Sequence, residues 1–99
     1  MPSPIRYHPL FEADVLGAAA WYDGRNADLG SAFIAHVAQA VEHLIADPAR
    51  RGTGDFGFRY WPVRGFPYVI FYAVTGEELL ILGVMHTARE PGKWLADRL

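Results

Sequence analysis

Cysteine is absent from this 99-residue sequence, which excludes disulfides, thiolate metal sites, CxxC redox chemistry and a cysteine nucleophile. Serine occurs only at positions 3 and 31, neither in a nucleophile-like setting, so hydrolysis through a serine is not expected. Lys93 is the single lysine, which leaves arginine to carry almost all the positive charge. There is no Walker loop, GxGxxG, HExxH or GxSxG motif and no DNA-binding zinc module, so neither a cofactor nor a metal is expected. The chain does not open on a basic segment followed by an apolar stretch. No apolar run approaches the roughly 20 residues that cross a bilayer. The expectation is a soluble cytoplasmic protein that does not engage a membrane.

What the sequence does hold is apolar surface. It is 52% hydrophobic and 14% aromatic against 20% charged, enough for a packed core. At this length residues 1–99 form a single domain with one core. The net charge of -2 conceals a gradient: residues 1–49 hold two arginines against six acids, and residues 50–99 hold seven Lys/Arg against five acids. The charge therefore passes from -4 to +2 along the chain, a bias that can mark a face for an anionic partner.

Periodicity supplies the elements. Ile5 and Tyr7, bracketed by prolines, suit a short edge strand. Phe11, Val15, Ala18, Ala19 and Tyr22 lie on one helical stripe, with Glu12, Asp14 and Asp23 largely off it, and Asp23-Gly24-Arg25-Asn26 breaks the pattern. A second helix starts near Asn26 to Ser31, where several side chains could cap it. It buries Phe33, Val37, Ala40, Val41 and Leu44, and stops at Asp47-Pro48. A glycine-rich loop from Ala49 to Gly57 then leads to three strands, Phe56 to Val63, Phe66 to Val74 and Leu79 to His86. The segment from Glu90 to Leu99 closes the chain as a short helix with Pro91 in its first turn. The order β-α-α-β-β-β predicts an α+β fold in which a helical hairpin packs on an antiparallel sheet.

Both alternating sets of the last two strands are apolar, so these strands are covered on both faces, or covered on one and awaiting a partner. The second alternative is taken here. A domain this small, with helices on one side, is expected to leave part of Val69, Ile70, Phe71, Leu80, Ile81 and Leu82 open to a partner.

Four polar residues are candidates for chemistry. His86 ends an apolar strand, Arg89 follows three residues later, Arg59 lies within the first long strand and Arg64 in the turn after it. If they converge, they form a cationic pocket with a histidine, suited to phosphate or carboxylate. His36 and His43 are one polar helix face, about 10 Å apart along the axis and too far for one metal ion. His8 is likewise an ordinary polar position on an edge strand.

The stretch Arg64-Gly65-Phe66-Pro67-Tyr68-Val69-Ile70-Phe71-Tyr72, followed by His86-Thr87-Ala88-Arg89-Glu90-Pro91-Gly92-Lys93-Trp94, resembles the C-terminal half of the RelE/ParE superfamily of bacterial toxins. The preceding strand, two helices and Asp47-Pro48-Ala49-Arg50-Arg51-Gly52 follow the family order, so the resemblance covers nearly the whole chain. It implies a type II toxin held by a cognate antitoxin, with roles in growth inhibition and plasmid stabilisation. It also leaves open a homodimer or a toxin–antitoxin hetero-oligomer. ParE-like members poison DNA gyrase, whereas RelE-like members cut mRNA on the translating ribosome, and a degenerate member would bind antitoxin without toxicity. For a nuclease, His86, Arg89, Arg64 and Arg59 are the catalytic candidates. Nuclease members commonly keep a C-terminal tyrosine or a lysine cluster; here Thr87 follows His86, Trp94 holds the tail and Lys93 stands alone, which favours the ParE-like branch. The antitoxin would then meet Phe71, Leu80, Leu82 and Trp94 through apolar contact and Arg59, Arg64 and Arg89 through acidic groups.

Overall fold

The computed structural model describes residues 4–54 and 56–99. Its elements run β1 (Ile5–Tyr7), α1 (Phe11–Asp23), α2 (Leu29–Ala46), β2 (Arg59–Val63), β3 (Tyr68–Thr75), β4 (Glu78–His86) and α3 (Pro91–Arg98). The order is the one expected from the sequence. Strands β2, β3 and β4 pair antiparallel, but β1 lies parallel to β4, so the sheet is mixed, in the order β1-β4-β3-β2.

The helical hairpin covers one face of the sheet. Val15, Ala18 and Ala19 of α1 and Phe33, Val37, Ala40 and Leu44 of α2 are buried, with Phe11, Tyr22 and Val41 half-buried beside them. From the sheet they meet Trp61, Val63, Ile70, Tyr72, Leu79, Ile81 and Val84. Each fully buried large side chain contributes about 1.5–3 kcal/mol, which makes this layer the main source of stability. Over its 18 residues α2 is apolar enough to pass for a membrane span, but it is interrupted by His36, Gln39, Glu42 and His43 and lays its apolar stripe on the sheet.

The turn between the helices departs from expectation. Asp28, the N-cap of α2, takes a left-handed conformation (φ 69°) and makes no side-chain cap. The cap comes from the previous helix: Asp23 Oδ1 accepts from Gly30 N at 2.7 Å. Gly30 is required there because a β-carbon would run into Ala19 O and the Asp23 carboxylate.

The opposite face of the sheet corrects a second expectation. It does not wait for a partner, because α3 folds back across it. Phe71, Leu82, Met85, Trp94 and Leu95 form a second buried cluster, with Phe71 and Trp94 ring centroids 5.6 Å apart. Only Val69 and Leu80 of the six strand residues named above stay half-exposed; Ile70, Phe71, Ile81 and Leu82 are buried. The sequence places Trp94 and Leu95 on α3 but does not reveal that this helix turns back.

A β-bulge decides which residues reach which face. Phe71 pairs with Gly83 and Tyr72 with Ile81, leaving Leu82 as an extra residue in β4. Before the bulge Leu79 and Ile81 face the helical hairpin; after it Val84 does, so the parity of the strand is switched.

The short β1 leaves the outer edge of β4 without a strand partner beyond Ile81, whose carbonyl accepts from His8 N at 2.8 Å. Two side chains take over. Asp14 Oδ2 accepts from Val84 N at 3.0 Å, and Arg98 Nη1 donates to Leu82 O at 3.1 Å. The two side chains also grip each other, Nη1 to Oδ2 at 2.8 Å and Nη2 to Oδ1 at 2.5 Å, with only 13% and 9% of their surfaces exposed. Gly83 makes the space, since a β-carbon would strike Arg98, Asp14 and the Trp94 ring. Asp14 therefore belongs to the buried side of α1, not to the polar side expected from the sequence.

Two outcomes test this packing. Leu44→Ala should cost about 2–5 kcal/mol of unfolding free energy in denaturant titration, as a fully buried leucine does. Asp14→Ala should cost about 3–5 kcal/mol, because it leaves the Arg98 charge and Val84 N–H without their partner. A double-mutant cycle with Arg98→Met should show that the two losses are not additive.

Candidate functional site

The residues expected to converge do not all do so. His86 and Tyr68 are cross-strand partners at one end of the sheet, and the switched parity of β4 brings the imidazole to the hairpin side, 5.0 Å from the Tyr68 ring centroid. His86 Nδ1 accepts from Ala88 N at 3.0 Å, so the neutral ring carries its proton on Nε2. A tight turn, with Arg89 N donating to His86 O at 3.0 Å, sets Arg89 at the rim, where its side chain is exposed. Both residues line a cleft of about 560 Å³ between α1, the sheet end and α3, whose other walls include Trp21, Tyr68, Trp94 and the Asp14–Arg98 pair.

The chemistry available in this cleft is limited by partnerships already made. The Arg98 charge is matched by Asp14. Glu90 caps α3, accepting from Gly92 N at 3.0 Å and Lys93 N at 2.6 Å, so its carboxylate is committed to the helix start. Lys93 pairs with Asp97 at 3.5 Å on the solvent side. Burial pushes the Tyr68 hydroxyl above its ordinary range, with Tyr22 adding to the effect, so the phenol keeps its proton. His86 and Arg89 are left as one acid–base group and one cation.

Arg64 and Arg59 lie elsewhere. Arg64 lines a second cleft, between α2 and β2, together with Arg50, Arg51, His36, His43 and Trp61. Arg59 is half-buried at the far end of β2, about 13 Å from Val63 along the strand, and its guanidinium donates to Arg51 O. It also lies near enough to Tyr72 to pull that hydroxyl down, against a larger upward push from burial. Tyr72 donates to Pro48 O at 2.9 Å, which ties the loop after α2 to the sheet.

Of the residues expected to meet a partner through apolar contact, Phe71, Leu82 and Trp94 are interior in the free chain, and Leu80 is half-buried. An exposed apolar groove lies on the helical hairpin. Leu16 (55% exposed) and Ile34 (41%), with Phe11, Ala38, Val41 and Ile45, line a groove of about 850 Å³. Glu12 and Glu42 are its acidic wall residues.

Sequence reasoning missed this groove, and it missed Asp14, Arg98, Arg50 and Arg51. The signals were present. Asp14 sits three residues after Phe11 and four before Ala18, inside the apolar stripe, and Arg98 falls four residues after Trp94 on the face of α3 that packs. His36 is half-buried against Phe66, and His8 bridges the chain ends, its Nε2 bonding Arg98 O at 3.0 Å. Among the described residues no group of three His, Asp or Glu side chains could hold a metal ion.

Comparison with known proteins agrees with the fold. No curated protein matches the sequence. At a TM-score of 0.74 and 17% identity, 86% of this chain matches 96% of a chain in a solved structure, the chromosomal ParDE TA system from P. aeruginosa, a likeness of fold. The family model described as "ParE toxin of type II toxin-antitoxin system, parDE" matches residues 5–91, which takes in every element from β1 to the start of α3. The chain belongs to the ParE toxin family of type II toxin–antitoxin systems.

Proposed function

We propose that this toxin acts in the cytoplasm as a poison of DNA gyrase, and that a cognate antitoxin neutralises it by covering the outer groove of the helical hairpin. The observation that carries the first half is the state of the His86 cleft. Cutting RNA needs a base for the 2′-hydroxyl, cations for the phosphorane and an acid for the leaving oxygen. In the His86 cleft Arg98 is matched by Asp14, and Arg59 and Arg64 lie outside it, which leaves Arg89 as the one arginine lining it that has no carboxylate partner among the described residues. A surface of this kind suits binding to a macromolecular target better than turnover.

The second half rests on the exposed apolar groove. Leu16 and Ile34 are more open to water than a stable free chain requires, and the groove runs along two antiparallel helices, a shape that receives one amphipathic helix. Glu12 and Glu42 call for basic residues along the flanks of that helix. An acidic continuation of the same antitoxin segment would reach exposed cations such as Arg64 and Arg89, and Leu80 is accessible beside α3. Contact with Phe71, Leu82 or Trp94 would require α3 to move aside.

Expression without antitoxin should arrest growth and induce the DNA damage response, and the purified chain should inhibit supercoiling by gyrase while cleaved DNA complexes accumulate. Transcripts on translating ribosomes should stay intact, and His86→Ala should leave the arrest in place. Ribosome-dependent mRNA cleavage that falls by orders of magnitude in His86→Ala and Arg89→Ala would instead establish a RelE-like nuclease. Folded protein with neither effect would identify an antitoxin-binding member without toxicity. Ile34→Asp and Leu16→Asp should each weaken antitoxin binding at least tenfold by calorimetry, with melting temperature nearly unchanged because both side chains already face water.

A further inference from the structure

The cleft between α2 and β2 has properties that neither the antitoxin groove nor the His86 cleft explains. Its walls hold three arginines, Arg50, Arg51 and Arg64, and two histidines, His36 and His43, and no Asp or Glu is among its described lining residues. Its volume is about 450 Å³. A neighbouring cleft of about 400 Å³ shares Arg50 and Arg51 and adds Tyr60 and Gly52. Trp61 and Tyr60 point to opposite faces of β2, so the arginine track passes over the free edge of that strand from one face of the sheet to the other.

The track is partly built in advance and partly unsatisfied. The Arg51 guanidinium lies 4.9 Å over the Trp61 ring, within cation–π reach. Its Nε, a donor, is buried without an acceptor among the described residues, and Nδ1 of His36 in the same cleft is buried without a hydrogen-bond partner. The buried Arg51 donor requires an acceptor, and guanidinium groups select oxyanions. Tyr60 (43% exposed), which lines the neighbouring cleft with Arg50 and Arg51, adds an open aromatic face.

Two anionic partners fit such a track in principle, an acidic peptide strand and a nucleic-acid backbone. Strand addition to β2 is disfavoured by Pro62, whose missing N–H removes a donor from the open edge. Three arginines spread over two adjoining clefts instead of gathered in one hole, with the Tyr60 ring open beside them, match a chain of phosphates with a base alongside. We infer that the α2–β2 cleft binds the phosphodiester backbone of nucleic acid, through Arg50, Arg51 and Arg64. This contact does not depend on which macromolecule the toxin poisons.

The test uses the full chain freed of antitoxin, with fluorescein-labelled 20-mers of duplex DNA, single-stranded DNA and single-stranded RNA as probes. Anisotropy is read from about 50 to 200 mM salt. Binding to at least one probe is expected, with log K falling by about two to three units per decade of salt if two to three phosphates are neutralised. Arg50→Gln and Arg64→Gln, both exposed and so harmless to folding, should each weaken binding about 3–10-fold and flatten the slope by about one. Arg25→Gln, in the turn between the helices, should change neither. Which probe binds identifies the source of the phosphates. Absence of binding to all three at 50 mM salt, binding that survives loss of both arginines, or capture of polyglutamate in place of every oligonucleotide would each overturn the inference.

Discussion

The ion pair between Asp14 and Arg98 joins the helical hairpin, the edge of β4 and α3 at one point. Asp14 comes from the helical hairpin on one side of the sheet, Arg98 from the helix on the other, and both bond the edge of β4 between them. Moving two charges out of water is costly, and the cost is offset by the paired contact and by one backbone bond to each side chain, Val84 N to Asp14 and Arg98 to Leu82 O. The pair does for β4 what a longer β1 would have done. It closes the strand edge and fixes α3 against the sheet, and Gly83 is the concession in sequence that lets it form.

Closure by α3 decides what the toxin can offer to others. With Phe71, Leu82 and Met85 covered by Trp94 and Leu95, the apolar sheet face is an interior in the free chain. Unsatisfied apolar area moves to the outer side of the helical hairpin, where Leu16 and Ile34 stand open. The charged surface is divided in the same way. His86 and Arg89 face the α1 side of the sheet end, while Arg50, Arg51 and Arg64 face the α2 side of β2, so what looks like one basic C-terminal half forms two separate sites.

Local chemistry was readable in the sequence wherever a short-range rule governs it. The 3.6-residue stripes gave Val15, Ala18, Ala19, Phe33, Val37, Ala40 and Leu44 as core, and each is buried. Turn residues gave the strand breaks to within three residues, and Pro91 marked the start of α3. The joined motifs from Arg64 to Trp94 pointed to the family that the comparison then established. Asp14 was misjudged because charge was read as exposure, a rule that fails when a partner 84 residues away supplies the opposite charge.

Element order, the core stripes and family membership were thus determined by the sequence alone, since each depends on residues near one another in the chain. Tertiary structure alone decided the parallel pairing of β1, the return of α3 over the sheet, and the face to which His86 belongs. The last depends on one extra residue in β4. An alternating strand has a side-chain period of two, so a single bulge at Leu82 moves every later side chain to the other face, and no alternation read from the sequence reveals where the ladder skips.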